Sequence, residues 1–179
     1  MNADTVPSEQ LNLLPIFAGM TDRERQQLVD IASTMMFPPG EVMMRQGKTS
    51  RNLWVLLEGH CQVVVFGGNS PSSELLLAEL QPYEHFGEMS FFEGAPHSAS
   101  VRATTAVKLL RIERTDYDLL IKDGNLAAYK FAFNMLAKLA ERLRRMDQWV
   151  TDLMEKQPEQ TKTSEWNHFR DKLFSNWNL

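Results

Sequence analysis

The spacing of apolar residues changes along the chain and divides it into helical and β-like stretches. Thr21 and Glu24 have the spacing of a capping box before DRERQQLVDIAST, whose Leu28, Ile31 and Ala32 form one apolar stripe. This pattern predicts a helix over residues 22–34.

Short β-like runs broken by turn residues follow from Met36. LWVLLEGHCQVVVF predicts two strands joined by a turn at Glu58–Gly59, GGNSPSS predicts a polar hairpin loop, and ELLLAEL predicts the return strand. After an interruption, SVRATTAVKLLRIE resumes the pattern. Several short strands at regular spacing predict a small antiparallel sandwich or barrel.

From Thr115 the period is helical again. TDYDLLIKDG predicts a short helix ended by Gly124, and a long helix is predicted from about Leu126 to Lys156. Apolar residues of the long helix alternate three and four apart: Tyr129, Ala132, Leu136, Leu139, Leu143, Met146, Val150 and Leu153. The helix packs either along the β domain or against a second copy of itself. We expect a homodimer, because the apolar seam extends beyond the length that a small β domain could cover. The seam consists of Leu136, Leu139, Leu143, Met146, Val150 and Leu153.

Pro158 ends the long helix, and residues 158–179 predict a linker followed by an amphipathic helix capped by Ser164. Its apolar residues are Trp166, Phe169, Leu173, Phe174 and Trp177. This face either docks on the protein's own surface or binds a partner or a membrane surface.

Composition narrows the function classes. The 179 residues carry a net charge of -4, which argues against a general nucleic-acid binder. The single cysteine, Cys61, excludes an internal disulfide and a multi-cysteine zinc site. The polar N-terminus, residues 1–10, predicts disorder and lacks a signal-peptide pattern, and no apolar run is long enough to span a membrane. We therefore expect a cytoplasmic protein.

The histidines have no spacing that suits a metal or a catalytic triad, so we expect no enzyme. Residues 86–100, FGEMSFFEGAPHSAS, offer different chemistry. Gly87 permits close approach of a ligand, and a helical turn beginning at Glu88 has unpaired N–H groups that attract an anion. Glu88 accepts from hydroxyls, while His97 and Ser98 offer donors. Such a pocket suits a phosphorylated ribose.

This stretch resembles the phosphate-binding cassette of cyclic nucleotide-binding domains, the module of catabolite activator proteins, kinase A regulatory subunits and nucleotide-gated channels. The family pattern F-G-E-L, then P-R-[AST]-A-[ST], corresponds to FGEM and PHSAS here. FPPGEVMMRQG, NLWVLLEGHCQVVV and VRATTAVKLLRIERTDYDLLI resemble the family's other motifs in order. The resemblance implies an α+β fold: a jelly-roll-like antiparallel β-roll with an N-terminal helix over residues 11–125, and a long lid or dimerisation helix over 126–157.

The resemblance also implies roles for individual residues. Glu88 would bind the ribose 2′-hydroxyl, and the turn starting at Gly87, with Ser98 and Ala99, would hold the cyclic phosphate. Asp147 falls where prokaryotic relatives place a base contact. The full set of expected ligand-binding residues is Phe86, Gly87, Glu88, Met89, Ser90, His97, Ser98, Ala99 and Asp147.

The sequence departs from the family pattern in two places. His97 stands at the arginine that pairs with the phosphate, and losing a charged hydrogen bond costs about 1.5–3 kcal/mol. A phosphate beside His97 would raise the histidine pKa, so binding would be fuller below about pH 6.5 and would weaken as pH rises through the raised pKa. Tyr83-Glu84 replaces a glycine-aspartate pair, which affects the turn before the cassette.

About twenty residues after Pro158 leave no room for a helix-turn-helix, so no DNA binding is expected. The resemblance then implies a stand-alone bacterial sensor of cAMP or cGMP that signals to a partner protein through its C-terminal helix. The alternative is a dimeric scaffold on the same fold that has lost nucleotide binding. Base preference, partner and output are left open by the sequence.

Overall fold

The computed structural model describes residues 8–67 and 74–155. Its helices are α1 (Ser8–Asn12), α2 (Asp22–Asp30), α3 (Glu88–Glu93), α4 (Arg114–Lys122) and α5 (Leu126–Glu155), with a 3-10 turn at Pro15–Phe17. Its strands are β1 (Ala32–Phe37), β2 (Val42–Met44), β3 (Asn52–Glu58), β4 (Cys61–Phe66), β5 (Glu74–Leu80), β6 (His85–Phe86), β7 (Ser100–Ala103) and β8 (Val107–Glu113).

The strands form two antiparallel sheets of four, with the orders β1-β8-β3-β6 and β2-β7-β4-β5. The α+β class and the antiparallel pairing predicted from the sequence are confirmed, although the described strands form two open sheets rather than a closed barrel. The β3–β4 hairpin turns at Gly59, which has a φ of 86°. This is the Glu58–Gly59 turn that the sequence predicted.

The start of α2 is confirmed and its end is corrected. Thr21 Oγ1 accepts from the Glu24 N–H at 3.3 Å, and Glu24 Oε2 accepts from the Thr21 N–H at 2.8 Å. The helix ends at Asp30, four residues before the predicted end. Residues from Ala32 onward pair instead with β8, Ala32 opposite Ile112, because strand pairing satisfies their backbone groups across the sheet.

The chain divides into two compact units, Met1–Met135 and Leu136–Leu179, each considered by itself. The first unit holds two buried apolar clusters. One joins the N-terminal helices, the odd-numbered residues of β3 and the first turns of α5, and the other lies between the two sheets. In α5 the buried residues of this unit are Ala127, Ala128, Phe131 and Met135. Tyr129, the first residue of the predicted three-and-four pattern, is exposed.

In the second unit, α5 presents apolar side chains to solvent: Leu136, Leu143, Met146, Trp149 and Leu153. Glu141 pairs with Lys138 at 2.9 Å and with Arg145 at 3.7 Å. The predicted C-terminal amphipathic helix and residues 1–7 lie outside the described residues, whereas residues 8–10 of the expected disordered N-terminus belong to α1.

Candidate functional site

The cassette stretch begins at the edge of the first sheet. Phe86 in β6 pairs with Trp54 in β3, and their rings stack with centroids 6.2 Å apart. Gly87 follows with a φ of 86°, and a Cβ at this position would lie 2.6 Å from the Asn52 carbonyl oxygen. Only glycine therefore allows the chain to turn into α3 while it remains against β3.

Helix α3 places residues of opposite exposure side by side. Glu88 and Ser90 are buried, and Met89 between them is exposed. The first helical hydrogen bond runs from the Phe91 N–H to the Gly87 carbonyl at 3.0 Å. The N–H groups of residues 88–90 come before this bond and therefore have no carbonyl partner within the helix. Gly94 ends the helix with a φ of 82°.

The His97 side chain is buried, with 4% of its surface exposed. Its Nε2 lies 2.8 Å from Ser50 Oγ, and its Nδ1 lies 2.6 Å from Ser90 Oγ. Burial lowers the pKa of His97 below its ordinary value of 6.5. Sequence reasoning did not anticipate these contacts, because Ser50 is 47 residues away in the chain.

The residues after His97 lead into the second sheet. Ser98 is exposed, with its Oγ 4.0 Å from Met89 Sδ, whereas Ala99 is buried. Ser100 begins β7, and its Oγ accepts a hydrogen bond from the Gln46 N–H at 2.9 Å. The cassette thus connects β6 of one sheet to β7 of the other, and it brings the exposed Ser98 close to Met89 of α3.

Two arginines that the sequence did not single out hold the C-terminal end of α3. Arg114 donates from Nη1 to the Phe91 carbonyl at 2.9 Å, and its guanidinium lies 5.6–5.9 Å from the ring centroids of Phe91, Phe92 and Tyr117. Arg51 donates to the same Phe91 carbonyl at 3.3 Å. Arginine near a helix C-terminus is favourable for its dipole, so both residues stabilise the position of α3.

Before the cassette, Tyr83 has a φ of 75°, a left-handed conformation that glycine would adopt at no steric cost. The Tyr83 N–H donates to the Leu56 carbonyl at 2.6 Å, and the Leu56 N–H donates to the Glu84 carbonyl at 2.8 Å. The Tyr83 side chain packs against the larger apolar cluster. The departure from glycine therefore leaves the turn intact, with its strain offset by packing.

The expected ligand-binding residues from Phe86 to Ser90 and from His97 to Ala99 all lie around α3. Asp147 lies in the second unit, exposed on α5, and its contact with a base stays a prediction. Among residues 8–67 and 74–155, no group of three histidine, cysteine or acidic side chains is arranged to hold a metal ion. None of the helices within these ranges is long and apolar enough to cross a membrane.

A family model described as cyclic nucleotide-binding domain matches residues 34–123, 90 of the 179 residues. The chain belongs to this family. The matched range contains every strand from β2 to β8, α3 and α4, and thus the whole cassette. The resemblance inferred from FGEM and PHSAS is confirmed.

Individual relatives agree with this membership. The chain is 33% identical over 133 residues to "Cyclic AMP receptor protein" of Thermus thermophilus, covering 74% of this chain and 59% of the relative. It is 26% identical over 111 residues to the "cAMP-dependent protein kinase regulatory subunit" of Emericella nidulans, covering 62% of this chain and 26% of that one. The chain therefore spans only part of these relatives.

Among solved structures, the catabolite activator protein of Thermus thermophilus matches with a TM-score of 0.70 and 30% identity, over 78% of this chain and 62% of that one. This similarity extends the family membership from sequence motifs to the arrangement of the sheets.

Proposed function

We propose that this chain is a non-enzymatic, cytoplasmic regulatory protein of bacterial type that binds cAMP or cGMP. The observation that carries the proposal is the geometry at α3: a glycine with positive φ against β3, followed at once by the buried Glu88. The similarity to a relative named as a cyclic AMP receptor protein supports this ligand class.

The proposed contacts follow the cassette. Glu88 accepts a hydrogen bond from the ribose 2′-hydroxyl, and the N–H groups of the turn after Gly87 bind the cyclic phosphate. The exposed Ser98 hydroxyl and the Ala99 backbone complete the phosphate site, beside Phe86, Met89 and Ser90. Asp147 is proposed to read the base.

The proposed output passes through α5. A ligand shifts a conformational equilibrium only by its differential affinity for the two states, so the nucleotide must bind better to one arrangement of the long helix. We propose that α5 pairs with a second copy through Leu136, Leu139, Leu143, Met146, Val150 and Leu153. Solvent exposure of Leu136, Leu143, Met146 and Leu153 in the chain supports this pairing, and the dimer would present the signal to a partner protein.

One observation favours a second candidate, a dimeric scaffold that no longer binds nucleotide. The side chain at the family's arginine position, His97, is buried and hydrogen-bonded to two serines. A cassette that has no arginine to pair with a phosphate can persist as a structural loop.

Calorimetry of the purified chain with cAMP and with cGMP, at pH 6 and pH 8, distinguishes the two candidates. The regulatory function predicts binding heat with at least one nucleotide. Glu88→Gln should weaken that binding by about tenfold to a hundredfold, because hydrogen bonds to a carboxylate contribute about 1.5–3 kcal/mol. Glu93→Gln is the matched control, since Glu93 is exposed at the other end of α3. No heat at millimolar nucleotide at either pH would exclude the sensor and leave the scaffold.

Light scattering tests the dimer. The double variant Leu139→Lys, Leu143→Lys should halve the measured mass, because two lysines would have to be buried in the seam. Leu119→Lys, at an exposed leucine of α4, should leave the mass unchanged. A monomeric wild type would refute the pairing.

A further inference from the structure

Three separate segments of the chain meet at the His97 imidazole. Ser50 lies in the loop between β2 and β3, Ser90 lies on α3, and His97 lies in the segment that leads to β7. The two serine hydroxyls occupy the two ring nitrogens at 2.8 and 2.6 Å. A neutral imidazole has one donor and one acceptor, and a hydroxyl can serve either, so all three side chains are satisfied without an ion.

Two main-chain hydrogen bonds anchor the backbone of His97. The His97 N–H donates to the Lys48 carbonyl at 2.8 Å, and the Gly47 N–H donates to the His97 carbonyl at 2.9 Å. These two bonds hold the backbone of His97 against the β2–β3 loop. The ring therefore points to Ser50 and Ser90 from an anchored position.

We propose that His97 is a positioning residue whose imidazole ties α3 to the β2–β3 loop through Ser90 and Ser50, and that it does not contact the ligand phosphate. The statement about the phosphate rests on the proposed function, whereas the tie between the two segments does not. The phosphate would then be held by main-chain N–H groups and Ser98, with His97 maintaining the shape of the cassette around them.

The alternative, direct contact with a phosphate, requires a ring nitrogen to leave its serine. If Nδ1 leaves, the Ser90 hydroxyl, which is 3% exposed, loses its partner in a buried place. This loss disfavours the turned-out ring by about fivefold to a hundredfold. If Nε2 leaves instead, the half-buried Ser50 hydroxyl loses its partner. The cost of turning out the ring would reduce the affinity that a contact between His97 and a phosphate could add.

Burial also keeps the ring in the neutral form that the two serines suit, since it lowers the His97 pKa. The charged groups on the packed elements are Arg45, Lys48 and Arg51 in the β2–β3 loop, and Glu88 and Glu93 on α3. A lowered pKa means that the folded state binds fewer protons than the unfolded state. The contribution of the neutral ring is therefore complete above pH 6.5 and is lost as pH falls through the lowered pKa, opposite to the direction expected for a phosphate-paired histidine.

Imidazole nitrogen NMR of the full chain, titrated from pH 5 to pH 8, tests the proposal. We expect a neutral His97 imidazole with a pKa below 6.5, both in the free protein and with saturating cAMP or cGMP. A His97 pKa that rises above 6.5 when cAMP binds would overturn the proposal. If neither cAMP nor cGMP binds, the proposed function fails, and the measurements on the free protein still decide whether the tie exists.

Variants of the serines provide the second readout. Ser50→Ala should shift the resonance of His97 Nε2 and Ser90→Ala that of Nδ1, because each variant removes the hydroxyl bonded to that nitrogen. Each variant should also speed hydrogen exchange of α3 amides about two- to tenfold. Thr49→Ala, an exposed neighbour of Ser50, should change neither.

Substitutions of the histidine itself complete the set. His97→Gln keeps one donor and one acceptor and should restore part of the protection that His97→Ala loses. Unchanged ring-nitrogen resonances and exchange rates in both serine variants would show that His97 does not hold α3 to the β2–β3 loop.

Discussion

Gly87→Ala should cost the first unit far more stability than an ordinary glycine substitution. Its φ of 86° lies in the left-handed region, which costs a residue with a Cβ about 1–2 kcal/mol. The added Cβ would also lie 2.6 Å from the Asn52 carbonyl oxygen. Because Asn52 pairs with Glu113 in the first sheet, the carbonyl cannot move freely, and crowding of this kind costs about 1–3 kcal/mol more. The expected loss is about 2–5 kcal/mol.

Gly40→Ala distinguishes the cost of the left-handed backbone from the cost of the contact with the Asn52 carbonyl. Gly40 has a φ of 87°, and nothing lies within 4 Å of a Cβ built there, so only the conformational cost of about 1–2 kcal/mol applies. Urea unfolding followed by circular dichroism gives both free energies of unfolding. Equal losses in the two variants would refute the reasoning, because the contact with Asn52 would then contribute nothing.

Three further substitutions or reactions test other parts of the structure. Phe131→Ala should lower the free energy of unfolding by about 3–5 kcal/mol, because the ring is fully buried against Phe17 and Tyr117. Phe133→Ala, at an exposed ring, should change it by less than about 0.5 kcal/mol in thermal unfolding. Similar losses in the two variants would contradict the assigned faces of α5. Thr21→Ala should cost about 1 kcal/mol in urea unfolding by removing the cap of α2, and an unchanged midpoint would argue against that cap. Burial raises the pKa of the Cys61 thiol to about 11, so a thiol-specific disulfide reagent should leave the native protein unlabelled and label it fully in urea; fast native labelling would show that Cys61 is accessible.

Local signals in the sequence predicted much of the fold. The capping box at Thr21 and the hairpin turn at Gly59 depend on residues close in the chain, and both are present. The end of α2 depends instead on the pairing of Ala32 with Ile112. No window around residue 31 contains that partner, so the helix was predicted too long.

The candidate site shows the same division. FGEM and PHSAS located the cassette, because its glycine, acid and serine are needed at fixed spacing. The direction of the His97 side chain depends on Ser50. The position of α3 depends on Arg114, the first residue of α4, which donates to the Phe91 carbonyl. These contacts join distant segments, and spacing along one sequence carries no information about them.

The turn at Tyr83 has a consequence for the order of folding. A tyrosine disfavours the left-handed conformation by about 1–2 kcal/mol, so residues 81–86 cut out as a peptide would populate this turn only as a minor conformer. The turn becomes favourable only when the Tyr83 ring packs on the apolar cluster and its N–H reaches the Leu56 carbonyl. The cassette that follows would therefore be shaped late, after β3 and the cluster have formed, and its folding would be cooperative with that of the whole first unit.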